Sequence, residues 1–82
     1  MSKVIMLTKE DCPKCKVAKQ YISLGLDEEL ADQIEIIKLE DEPEKYAELV
    51  EKYQVLGLPA FIKDEVVSYD YMASGIDELF ED

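Results

Sequence analysis

The chain has no histidine, no tryptophan and only two cysteines among its 82 residues. Those absences narrow the chemistry at once. A zinc site built from sulfur and nitrogen needs four ligands, so one copy of this chain cannot close such a site alone. No apolar run approaches the ~20 residues that a membrane-spanning helix requires. Repeats, low-complexity tracts and linkers are also missing, which predicts one domain over residues 1–82. The opening stretch MSKVIMLTKEDC holds only a short apolar run and no small-residue cleavage site, so a cytoplasmic protein is expected. Positive charge is scarce, with 9 basic residues against 20 acidic ones and a net charge of −11. An acidic body repels nucleic acid, whose binding depends on Lys and Arg neutralising phosphates. Neither nucleic acid nor a membrane is therefore expected as a partner, and a monomer is.

What is present is a short chain with an ordinary apolar fraction, 48%, in periodic segments that follow one another closely. A domain of this size hides only about 60–65% of its unfolded surface, so its core is small. Residues 3–8, KVIMLT, read as a short strand buried on both faces. From Pro13 the period becomes helical, with Cys15, Ala18, Tyr21 and Ile22 on one side and Gly25 as the stop. Residues 26–33 predict an added helical turn for which Asp27 suits the N-cap, and 34–39, IEIIKL, a second strand. Asp41, Glu42 and Pro43 signal a helix start. Tyr46, Leu49, Val50 and Tyr53 then form an amphipathic stripe. Strands at 60–62 and 66–71 flank Lys63-Asp64-Glu65 as a hairpin. A last helix opens at Ser74-Gly75, with Ser74 as its cap and Ile76, Leu79 and Phe80 as its apolar face. The order β-α-β-α-β-β-α, with a right-handed crossover between the first two strands, predicts an α/β domain. It has a four-stranded mixed sheet with helices on both faces.

Both cysteines lie in Cys12-Pro13-Lys14-Cys15. Pro13 suits the first helical position, where its missing N–H costs nothing. Cys12 then becomes the N-cap, its sulfur facing the free N–H groups and the positive end of the helix dipole. A thiolate gains there, and cysteine pKa values at such positions fall to roughly 3.5–7.5 from ~8.5. Charge supports this: residues 1–20 carry five lysines and two acids, whereas 21–82 carry four lysines and eighteen acids. Lys9 and Lys14 add positive potential, while Glu10 and Asp11 oppose it. Cys15, three residues on, shares the face of Cys12. Cys12 is thus the candidate nucleophile of thiol–disulfide exchange and Cys15 the resolving thiol. Two alternatives stay open: half of a metal or iron–sulfur site shared between two chains, and a pair of buried small hydrophobes. Most of the acids read as solvated faces.

A strand followed by TKEDCPKCKVAK resembles the active-site segment of glutaredoxins, small members of the thioredoxin superfamily. Their CPxC motif lies between the first strand and first helix, often with a lysine three residues ahead, where Lys9 stands here. LGLPAFI resembles their loop with a cis-proline facing the cysteines. The resemblance thus implies a cis Leu58-Pro59 bond, which sequence alone would assign to only ~5–6% of X-Pro bonds. ASGIDEL resembles the segment that opens the last glutaredoxin helix. By that resemblance Lys9, Leu58, Pro59, Ile76 and Asp77 would contact glutathione or substrate. Leu58 would bind the cysteinyl backbone, and Ile76 and Asp77 would hold the γ-glutamyl end. The expected activity is reduction of protein disulfides or glutathione mixed disulfides through the Cys12–Cys15 dithiol. Lys9, Pro13, Lys14 and Pro59 support it, glutathione is the co-substrate, and no cofactor or metal is bound. The chain departs from the pattern at three places. Lys14 stands where the family usually has an uncharged residue, Ser74 replaces a glycine, and KYQVLGLPAF is closer to thioredoxins. A thioredoxin-like donor recharged by a flavoprotein reductase is therefore the alternative.

Overall fold

The computed structural model describes residues 3–80. β1 (Val4–Thr8) is followed by α1 (Pro13–Leu24), the short α2 (Glu28–Ala31) and β2 (Ile34–Lys38). Then come α3 (Pro43–Tyr53), β3 (Ala60–Lys63), β4 (Val66–Ser68) and α4 (Ala73–Glu78). The sheet order is β2-β1-β3-β4. β1 and β2 run parallel, with Met6 beside Ile36. β3 is antiparallel to both β1 and β4, with Met6 beside Phe61 and Ile62 beside Val67. The expected four-stranded mixed sheet, with helices on both faces, is the observed one.

Side-chain alternation along the central strands builds two cores. Val4, Met6, Ile34 and Phe61 point to one face and pack with Cys15, Ala18 and Ile22 of α1 and Ile76 of α4. Leu7, Ile37, Ala60 and Ile62 point to the other, where α3 lays its stripe of Tyr46, Leu49, Val50 and Tyr53. The central strands are buried on both faces, which explains their unbroken apolar runs.

Several boundaries depart from the sequence-based expectation. The first strand starts at Val4, and the second ends at Lys38. Gly25 does end α1, its N–H donating to the Tyr21 carbonyl at 2.8 Å. It does so in right-handed helical backbone; its lack of a Cβ matters because one would lie 2.7 Å from the Tyr21 ring. Asp27 occupies the N-cap of α2 without a side-chain bond to the helix. α3 ends on Gln54, which takes the left-handed conformation at φ 52°. The hairpin turns through Asp64 and Glu65, both at positive φ (50° and 68°), the backbone that matches strand twist in two-residue hairpins.

The largest departure lies between β4 and α4. The strand expected over 66–71 stops at Ser68, and Ser74 is not the cap of the last helix. α4 begins at Ala73 behind Met72, which makes no side-chain cap bond. An Asx turn accounts for the early start: Asp70 Oδ1 accepts the Met72 N–H at 3.0 Å. Gly75 is required by the same turn, since a Cβ there would overlap the Asp70 side chain.

Candidate active site

β1 delivers the chain to Cys12. Thr8 is fully buried at the end of that strand, and its carbonyl accepts the Leu39 N–H at 2.9 Å. The loop that follows is tied to the end of the neighbouring strand β2. The Glu10 N–H donates to Glu40 Oε1 at 3.1 Å, and Glu10 lies 3.9 Å from the Lys38 ammonium. Cys12 is the N-cap of α1 in extended backbone (φ −137°, ψ 102°), with Pro13 in the first turn. Its sulfur accepts the Cys15 N–H at 3.3 Å. An N-terminal N–H without a helical partner therefore points at this sulfur.

The two cysteines form a disulfide with their Cα atoms 5.2 Å apart. They are unequal. Cys15 is 1% exposed and sits in the core beneath α1, whereas Cys12 keeps 7% and lines a surface depression of about 410 Å³. Lys9, Asp11, Pro13 and Lys14 line that depression on the cysteine side. Gly57 and Leu58 close it from the other. Leu58-Pro59 is a cis peptide bond, and Pro59 is fully buried behind the rim at the entry to β3. Exposure and position thus make Cys12 the sulfur an incoming disulfide can reach, and leave Cys15 directly behind it.

The residues singled out from sequence fall into two groups. Lys9, Cys12, Pro13, Lys14 and Leu58 share the depression, with Cys15 and Pro59 immediately behind. Ile76 and Asp77 do not line it. Ile76 is fully buried, and its N–H donates to the Met72 carbonyl at 3.0 Å. The Asp77 carboxylate accepts the Tyr21 hydroxyl at 2.5 Å, joining α4 to α1. That bond, with partial desolvation and the Asp77 charge, raises the Tyr21 pKa.

Sequence reasoning missed a second depression of about 400 Å³. It shares Lys14, Gly57 and Leu58 with the first and continues over Leu56, Tyr69 and Tyr71. The Lys14 ammonium lies 5.8 Å from the centroid of the Tyr71 ring. The Tyr69 hydroxyl accepts the Leu56 N–H at 3.1 Å and so fixes one wall against the other. The available signal is the Tyr-x-Tyr spacing at 69–71, which by alternation alone reads as a continuation of the strand.

Among the described residues, no three His, Cys, Asp or Glu side chains group so as to hold a metal ion. No described helix is long and apolar enough to cross a membrane.

No protein-family model matches the chain, and no curated protein matches it. Two solved structures resemble it. One is the crystal structure of the thioredoxin-like protein BC3987, at TM-score 0.69 and 18% identity, covering 95% of this chain and 100% of that one. The other is the T8A mutant of that protein, at TM-score 0.70 and 16% identity, covering 96% and 100%. The fold is therefore thioredoxin-like.

Proposed function

We propose that this thioredoxin-like chain is a thiol–disulfide oxidoreductase. The observation that carries the reading is the Cys12 sulfur, held as N-cap by the Cys15 N–H and lining an open depression while Cys15 lies buried behind it. In the dithiol state Cys12 is the thiolate, favoured by the helix N-terminus. Its sulfur attacks one sulfur of a substrate disulfide, forming a mixed disulfide and expelling the other half as a thiolate that takes up a proton. Cys15 then loses its proton and attacks Cys12 Sγ. The Cys12–Cys15 disulfide forms, the substrate leaves as a thiol, and two electrons have passed to it. Burial in apolar surroundings keeps Cys15 protonated until that step.

Two donors fit different observations. Lys9 and Lys14 beside Cys12 suit an anionic thiol such as glutathione, as in a glutaredoxin-like enzyme. The engagement of Ile76 and Asp77 within the fold suits a donor that needs no γ-glutamyl contact there, such as a flavoprotein reductase. Either donor suits a protein of a reducing compartment such as the cytoplasm. Equilibration in glutathione buffers, followed by intact mass, separates them. A potential of roughly −200 to −230 mV with a glutathione adduct on Cys12 supports the first donor, and one near ~−270 mV without adduct the second. The function itself is tested by substitution. Cys15→Ser should accumulate a mixed disulfide on Cys12, and Cys12→Ser should reduce nothing. Full reductase activity in Cys12→Ser would refute the reading.

A further inference from the structure

The second depression adjoins the first, because Lys14, Gly57 and Leu58 wall both. A peptide whose disulfide is seated at Cys12 can therefore extend into it. We propose that the Leu56–Tyr69–Tyr71 lobe is a side-chain subsite. It selects peptide disulfides that carry a large apolar residue within a few positions of the attacked cysteine. This rests on the oxidoreductase reading above and names its substrate class.

Four observations carry it. Leu56 is 91% exposed at the rim, a large apolar side chain with no intramolecular cover. Tyr69, 42% exposed, and the half-buried Tyr71 supply aromatic walls. Rings of this kind give large contact area for little loss of side-chain freedom. The lobe is ordered before substrate arrives. The Tyr69 hydroxyl holds the Leu56 N–H, and Asp70 between the two tyrosines holds the Met72 N–H. Finally, among the described residues Lys14 is the only charged one lining it, and its ammonium is placed near the Tyr71 ring. An uncharged apolar side chain matches that lining.

The test uses synthetic peptide disulfides in which one leucine is walked from before to after the cysteine, against a parent with serine throughout. A small hydroxyalkyl disulfide serves as the reference substrate. In the unmodified protein one leucine position should raise kcat/KM about tenfold over the serine parent. Tenfold corresponds to ~1.4 kcal/mol, close to the lower end of the contribution from burying one leucine side chain. Leu56→Ser should reduce that ratio to near one, and Leu56→Met should retain it. Equal kcat/KM at every leucine position, or a preference that survives Leu56→Ser, would overturn the subsite while leaving the oxidoreductase reading intact. Failure of the unmodified protein to reduce even the small disulfide would overturn both.

Discussion

Replacing Ile76 by alanine tests how α4 holds the site. Ile76 is fully buried in the cluster that contains Cys15, Ala18, Met6 and Phe61. The substitution removes three carbons, about 2.4 kcal/mol of transfer free energy at ~0.8 kcal/mol per carbon. The unfilled cavity adds to this, and measured costs for such changes run about 2–5 kcal/mol. An 82-residue domain has roughly 4–12 kcal/mol of stability in all, so the change should be plain. At ~4–8 °C per kcal/mol for a domain of this size, the Tm of the disulfide form should fall by at least about 10 °C. Far-UV circular dichroism on heating measures it. A fall of less than ~4 °C, equivalent to under ~1 kcal/mol, would refute the core assignment.

Other outcomes follow from individual contacts. The raised Tyr21 pKa comes first from its bond to Asp77. That bond therefore stabilises the fold below the ordinary tyrosine range and is lost as pH rises through the raised folded value. Tyr21→Phe should remove this alkaline component from the stability profile, and an unchanged profile would contradict the contact. Gly75→Ala would gain ~1 kcal/mol from helix propensity alone, yet overlap with Asp70 should make it net destabilising. Asp70→Gly in the same chain should recover only part of that loss, because it also removes the bond to the Met72 N–H; stabilisation by Gly75→Ala alone would refute the packing. Lys9→Gln and Lys14→Gln should each raise the Cys12 thiol pKa. The shift should stay below about one unit, because exposed charge pairs contribute only ~0.2–1 kcal/mol. Alkylation rate against pH reads it, and a lowered pKa would contradict the electrostatic account.

The sequence made the cysteine end of the site legible because its determinants are local. Pro13 cannot donate, so it marks the first helical turn, and that places Cys12 at the N-cap and Cys15 behind it. The α3 stripe and the two buried central strands were equally readable from period alone. The β4–α4 connection was not. Tyr69 and Tyr71 continue an alternating pattern, but Ser68 already pairs with Phe61 near the start of β3. The next residues would need partners near Pro59, which has no N–H to offer. The chain leaves the sheet there, and both tyrosines line the second depression. Ser74 looked like a cap because a serine before glycine suits one. The Asp70 carboxylate instead turns the chain at Met72 and starts the helix earlier. Ile76 satisfied two patterns, an apolar helix face and a glutathione-contact segment, and the structure buries it.

The central claim is that Cys12 is an activated nucleophile with Cys15 as its resolving partner. Its most direct test is titration of the reduced protein by thiolate absorbance, with Cys12→Ser and Cys15→Ser measured alongside. The account requires one thiol in the range of roughly 3.5–7.5, assigned to Cys12, and a second, Cys15, well above it. Two thiols titrating together near the free value of ~8.5 would contradict it.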